Sequence, residues 1–490
     1  MGRTDSNRAG AHTFEQHCCQ PGPGVQPRFA DLLAAASASR VDEDGVLSLA
    51  LPLAVVDPLP LLPLLPGDDG FRFLWDGAPG LCLAASGRCQ SLELSGPRRF
   101  ELAQRFASLA LGRLVSPGAV PALARARVLL AFAFFDTTSA AGGAAVPGVQ
   151  AVLPQWQLSR HGQHCWLRLQ RPLGGGVTAR SLAEELWEQA RVLEQRGSSL
   201  PLPAQGPHEL TDLPRVLHSS NWQGPYGRAA ERGLELIHNG DLQKLVLAVR
   251  QELVLDRRLD PLQLLSSLRQ RQNGSCRLLW QRQADHYLLG ASPERLLTVR
   301  QGQLRSDALA GTAGSDDSGS TLLASAKDRH EHELVIDTIS TVLSQLGLRP
   351  RRPRHPRVAR HGHLLHLHTP ITAAIGHHHP LALAEALHPT PAVAGLPRRQ
   401  ALHWLRALEP FERGHYAAPI GWIDSEGDAD LRVAIRCGVV RGHQLELCAG
   451  AGLVRGSDLT REAREVGLKL RVLQDQLNLR PTQAPTPLMR

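Results

Sequence analysis

Lysine is nearly missing from this chain: of 54 basic residues only Lys244, Lys327 and Lys469 are lysines, and arginine takes every other basic position. Arginine does not deprotonate in proteins, whereas a buried lysine can be tuned to accept a proton. A sequence so biased is expected to keep lysine where a guanidinium fails, and a proton-abstracting base is one such place. Cysteine is sparse as well. The eight are scattered with no C-x-x-C pair, which argues against a zinc ribbon or a redox couple and leaves reduced, mostly buried thiols. No apolar run survives as a membrane span, because the stretch 46–65 carries Asp57 and is broken by Pro52, Pro58, Pro60 and Pro63. The first forty residues lack the charged-then-apolar order of a secretory signal, so a cytoplasmic location is expected. Blocks of basic residues with interleaved aromatics are absent too. A net charge of +8 over 490 residues therefore fits a small anionic substrate better than nucleic acid or a membrane surface.

What is present is enough apolar residue, 42%, for a large core in one to three domains. Residues 1–27 and 481–490 read as disordered ends, rich in Gly, Pro and Gln with no period. The part 28–200 mixes short apolar runs, 71–75 and 128–135, with a helix across 181–195, and holds no defensible chemical motif. A Pro/Gly/Ser stretch at 197–207 marks a boundary, and 208–480 follows as a second region. There, alternation predicts strands over 242–255 and on either side of Ser292-Pro293, and apolar spacing predicts a helix over 325–348. Hairpin turns are expected at 425–428 and 441–443, and a last helix starts at Ser457 or Asp458 and runs to about 477. Irregular blocks of both kinds point to an α+β fold with mostly antiparallel sheets and outer helices.

Two predicted helices carry carboxylates on one face. Glu462, Glu465 and Lys469 stand at i, i+3 and i+7, and Asp328 and Glu331 at i, i+3. One carboxylate from each helix would hold a hard cation such as Mg²⁺; a solvated face with Glu–Lys pairing has the same spacing. Eight histidines lie within 355–379, but 330–333 lacks the H-E-x-x-H spacing, and His363, His366 and His368 are assigned surface or packing roles rather than zinc. Gly450-Ala-Gly452, in the stretch 450–456, follows a strand. No βαβ unit comes after it, so it reads as a Gly-rich turn that lets the backbone approach a small carboxylate ligand rather than a dinucleotide.

Taken in order, Lys244-Leu-Val-Leu-Ala, Leu289-Gly-Ala-Ser-Pro-Glu-Arg295, Ala308-Leu-Ala-Gly-Thr312, Lys327-Asp-Arg-His-Glu-His332, His388-Pro-Thr-Pro-Ala392, Arg413-Gly-His-Tyr-Ala-Ala-Pro-Ile-Gly421, Val433-Ala-Ile-Arg436, Ala449-Gly-Ala-Gly452 and Gly456-Ser-Asp458 resemble the chorismate-utilising enzymes. Within that family the pattern looks most like the isochorismate synthases of menaquinone and phylloquinone biosynthesis. The resemblance covers about 220–475; residues before 200 resemble the longer quinone-pathway members only loosely.

The resemblance implies the chorismate-binding fold, an isomerase (hydroxymutase) activity, Mg²⁺ as cofactor and no required glutaminase subunit. Lys244 would deprotonate a water for attack at C2 of chorismate, and Glu294 would protonate the departing C4 hydroxyl. Glu331 and Glu465 would hold Mg²⁺, with Asp328 and Glu462 in outer roles. Tyr416, Arg436 and the backbone of Gly450 and Gly452 would clamp the enolpyruvyl carboxylate, Lys469 would lie near the metal-bound carboxylate, and Gly311 and Thr312 would line the site. Lys327 would need only its positive charge. Ala310, where aminodeoxychorismate-forming relatives carry a nucleophilic lysine, points with Lys244 to water as nucleophile. Salicylate synthases share both features and then eliminate pyruvate, so that branch stays open. Anthranilate- and aminodeoxychorismate-forming components and a non-catalytic chorismate-binding module are also compatible with the family pattern. Two departures from the pattern, Ala394 and Asp430, touch neither the named acid and base nor the metal ligands.

Overall fold

The structure is a computed structural model that describes residues 28–42, 45–67, 69–77, 80–137, 146–199, 213–314 and 319–477. The expected disordered ends lie outside the described residues, as does most of the expected boundary segment.

Two antiparallel sheets share the long strand Val149–His161 and diverge from it. From one edge of it the first sheet runs through Cys82–Leu94, Arg72–Asp76, Cys276–Gln283, His286–Ser292, Cys437–Arg441, Gln444–Val454 and Lys244–Leu255. From the other edge the second runs through Arg127–Phe132, Pro419–Asp424, Ala429–Val433, Arg295–Arg300, Gln303–Gly314, Leu364–Ala374 and Arg357–His361. Strands from before residue 200 thus pair directly with strands from after 208 in both sheets.

Period-2 alternation explains how one strand serves two cores. Phe73 and Trp75 point into a layer between the sheets, where Leu278, Trp280, Leu129, Ala131, Ile420 and Trp422 meet them, while Leu74, Leu279, Val128 and Leu130 face the helices outside. In a chain with few aromatics the inner layer is built on them; Phe71 meets the Trp280 ring edge-on at 5.3 Å.

The expected hairpins and strands are present. His286–Ser292 and Arg295–Arg300 flank Pro293, and turns at 425–428 and 442–443 join their strands. The helix expected over 325–348 spans Ala326–Gln345, with the Ser325 hydroxyl accepting from the Asp328 N–H at 3.2 Å. The last helix is Leu459–Gln474, with Asp458 as its N-cap rather than Ser457, because the Asp458 carboxylate accepts from the Arg461 N–H at 2.8 Å. One expectation is corrected. Gly450 and Gly452 lie inside the strand Gln444–Val454, in register with Ala248 and Val246, and not in a turn beyond it. The glycines make room there rather than reverse the chain.

Candidate active site

Both site helices show where chemistry replaces packing. The inward stripe of Ala326–Gln345 runs Asp328, Glu331, His332, Val335, Ile336, Ile339, Leu343, and that of Leu459–Gln474 starts with Glu462 before Val466 and Leu470. Acids occupy the first inward turns of each stripe, where an amphipathic helix would place apolar groups. Beneath them lies a cavity, and Glu294, Gly311, Thr312, Glu331, Tyr416, Arg436, Gly450, Gly452, Glu465 and Lys469 all line it. Lys244, Asp328 and Glu462 stand just behind this lining.

Lys244 opens the strand Lys244–Leu255 and is fully buried, with Nζ 2.9 Å from Glu331 Oε1. Burial opposes ionisation of Glu331, but Lys244 and Lys327 outweigh it and hold the carboxyl below its usual range. Gly452 is what lets the two meet: a Cβ there would sit 2.5 Å from Glu331 Oε1 and 3.0 Å from Lys244 Cε. A Cβ on Gly450 would likewise come within 3.2 Å of the Tyr416 hydroxyl.

Glu294 sits in the break between two strands. The Ser292 hydroxyl donates to the Val433 carbonyl at 2.5 Å, and the Val433 N–H donates to the Glu294 carbonyl at 3.0 Å, which fixes the backbone. Glu294 is 4% exposed. Burial pushes its carboxyl up to about 7, against the opposing pull of Lys244, Lys469 and Arg436.

Arg436, at φ 54°, turns its guanidinium inward, and burial lowers it to about 10, so it stays charged. One Nη2–H donates to His366 Nε2, while Nε and Nη1 are buried without a hydrogen-bond partner among the described residues. Because arginine only donates, His366 Nε2 accepts and the proton must be on Nδ1, which lies 3.1 Å from the Gly311 carbonyl and 3.3 Å from the Thr312 hydroxyl. Burial, with Arg436 and Lys469 nearby, holds this imidazole well below its usual range and so neutral. Gly311 bulges out of the pairing with Leu364–Ala374 at φ +71°, and a Cβ there would lie 3.2 Å from Asp328 Cβ. The surface or packing role expected for His366 is therefore corrected: it lines the cavity and orients Arg436. Only its burial distinguishes it from its neighbours, and no local pattern reveals that.

The acids form one cluster. Lys327 Nζ lies 2.7 Å from Glu462 Oε1, Lys469 Nζ 2.8 Å from Glu465 Oε1, and Arg461 2.9 Å from Asp328 Oδ2. Lys469 Nζ also donates to the Gly450 carbonyl at 2.8 Å. Among the described residues no group of three or more His, Cys, Asp or Glu is arranged to hold a metal ion. The donor set nevertheless fits Mg²⁺: hard carboxylate oxygens on two facing helices, with Asp328 Oδ1 and Glu462 Oε2 buried and lacking hydrogen-bond partners among the described residues.

The α+β pair of sheets thus brings a buried arginine with unpartnered nitrogens, a buried acid and part of a carboxylate–lysine cluster to one cavity, the arrangement of an enzyme active site. The chain belongs to the chorismate binding enzyme family, which it matches over residues 32–478. Similar proteins include the salicylate biosynthesis isochorismate synthase of Pseudomonas aeruginosa, 40% identical over 52% of this chain; the match spans only 55% of that enzyme's length. The vibriobactin-specific isochorismate synthase of Vibrio cholerae is 33% identical over 54% of this chain and 70% of its own. Among solved structures, the menaquinone-specific isochorismate synthase MenF of Escherichia coli superposes with a TM-score of 0.73 over 92% of this chain and 98% of its own, at 24% identity, which establishes the shared fold.

Proposed function

We propose that this chain is an isochorismate synthase, converting chorismate to isochorismate with Mg²⁺ in menaquinone or phylloquinone biosynthesis. The observation that carries the reading is Arg436: a buried guanidinium with two nitrogens unpartnered among the described residues, in the same cavity as Glu294, Glu331, Glu465 and Lys469. An uncompensated buried cation costs several kcal/mol, roughly, and a ligand carboxylate relieves it. Chorismate carries two carboxylates, and Lys469 stands beside the acid cluster ready for the other.

In this reading Lys244 takes a proton from a water whose oxygen bonds to C2. The ring double bonds shift, the C4–oxygen bond breaks, and Glu294 gives the leaving hydroxyl its proton. One water enters and one leaves, so the net change is isomerisation. Burial, which pushes Glu294 up to about 7, leaves a large share of it protonated for this role near neutral pH. Glu331 and Glu465 would hold Mg²⁺, with Asp328 and Glu462 behind them. The metal would neutralise and orient the ring carboxylate. Arg436 and Tyr416 would hold the enolpyruvyl carboxylate against the close backbone of Gly450, with His366 fixing the guanidinium. Ala310, also in the cavity wall, leaves no side-chain amine to add in place of water.

Chromatography of products from purified protein, chorismate and Mg²⁺ tests this. Isochorismate alone is expected, unchanged by ammonia or glutamine. Salicylate with stoichiometric pyruvate would assign the salicylate synthase branch instead, and an aminated product would overturn the choice of nucleophile.

A further inference from the structure

All three lysines of the chain end in one place. Lys244, Lys327 and Lys469 contact Glu331, Glu462 and Glu465 respectively, and Arg461 contacts Asp328, so four carboxylates face four cations. The roles proposed for Lys244 and Lys469 give each of them a partner outside the cluster. Lys327 meets only acids among the described residues: besides Glu462 at 2.7 Å, its Nζ lies 3.8 Å from Glu331 Oε2 and 3.9 Å from Asp328 Oδ1. It does not line the cavity. Its ammonium sits among the carboxylates of both helices, and in two of these, Asp328 and Glu462, one buried oxygen (Oδ1 and Oε2) lacks a hydrogen-bond partner among the described residues.

We infer that Lys327 is a resident counter-ion of the acid cluster, which stabilises the metal-free protein and sets a low affinity for the divalent cation. The inference rests on the metal reading given above. The physics is direct. Four carboxylates this close repel one another, and a monovalent cation among them offsets that repulsion. A divalent ion held by Glu331 and Glu465 would meet a fixed positive charge that lies 3.8 Å from Glu331 Oε2, in a partly buried setting where the repulsion is poorly screened. Removing the ammonium leaves four carboxylates facing three cations, less compensated without metal and more attractive to it.

Mn²⁺ binding to the full chain, followed by the paramagnetic signal of free Mn²⁺ without chorismate, provides the test. Lys327→Gln is expected to bind Mn²⁺ at least about tenfold more tightly than the unaltered protein. Its metal-free melting temperature should fall, and the rise on adding Mn²⁺ should grow. Lys327→Arg, which keeps the charge, should stay within about threefold of the unaltered affinity. Equal affinity in Lys327→Gln and the unaltered protein overturns the inference and leaves the metal reading intact; no Mn²⁺ binding by either removes both. If Lys327→Gln folds only with Mn²⁺ present, that rescue supports the inference, and failure to fold with Mn²⁺ overturns it.

Discussion

At the scale of single residues, Glu294 couples activity to stability with a defined sign. Its folded pKa of about 7 lies above the ordinary value of 4.5, so the fold prefers the protonated carboxyl. That contribution is complete below about pH 4.5 and is lost as pH rises through about 7. A general acid must be protonated to act, so kcat should fall on the alkaline side of about pH 7. Glu294→Gln removes the ionisation. Melting curves should show it more stable than the unaltered protein at pH 8 by up to about 3 kcal/mol, with the advantage shrinking toward pH 5, while turnover collapses. An advantage over the unaltered protein that is the same at both pH values would show that the carboxyl is not strained by burial. Lys244 is probed differently. Lys244→Gln keeps the slot filled but removes the base, and steady-state rates should drop roughly 10²–10⁴-fold. Turnover within about tenfold of normal would exclude Lys244 as the proton acceptor.

At the scale of elements, two glycines report opposite requirements. Gly452, mid-strand, faces Glu331 and Lys244, so Gly452→Ala forces both apart at an overpacking cost of about 1–3 kcal/mol and should lower turnover at least about tenfold. Gly467 lies inside the helix Leu459–Gln474 with nothing within 4 Å of the position a Cβ would take. Gly467→Ala should therefore stabilise the protein by about 0.5–1 kcal/mol in denaturant titration, since helical glycine pays chain entropy without packing gain. A destabilised Gly467→Ala would show that the space beside Gly467 is not free. The two helices also explain why their acids were ambiguous in the sequence. Spacing i, i+3 describes one face equally well for a solvated helix and for a ligand pair; only the facing helix decides.

At the scale of the whole molecule, Glu409 and Arg413 tie three segments together inside the core. Arg413 donates to the carbonyls of Val393 at 2.8 Å and Val246 at 2.7 Å and pairs with Glu409, which accepts from the Ala248 N–H at 2.8 Å. The pair thus joins the strand that carries Lys244 to the loop before Gly395 and the turn that carries Tyr416. Both side chains are almost fully buried. Arg413→Ala strands a buried carboxylate and two carbonyls and should cost about 3–5 kcal/mol in unfolding free energy; a loss below about 1 kcal/mol would show that water replaces the guanidinium. The part before residue 200, which offered no motif, also acquires a use at this scale. It completes both sheets, and its Phe132 and Phe134 carbonyls receive His415 and His388.

The sequence by itself determined the α+β class, the strand break around Ser292-Pro293, the helix over 325–348 and the one starting at Ser457 or Asp458, and the ordered motifs that carry the resemblance, because each depends on residues within a few positions of one another. The scarcity of lysine also singled out Lys244, Lys327 and Lys469 before any contact was known. Only the tertiary structure decided that these lysines converge on one acid cluster, that Gly450 and Gly452 are clearances inside a strand, and that His366 orients Arg436. Those facts depend on pairs such as Lys244 with Glu331 and His366 with Arg436, tens of residues apart in the chain, which become neighbours only when the strands pair and the helices pack. Burial, which sets the charge state of Glu294 and leaves Arg436 in need of an anion, arises from that same packing and has no local signature.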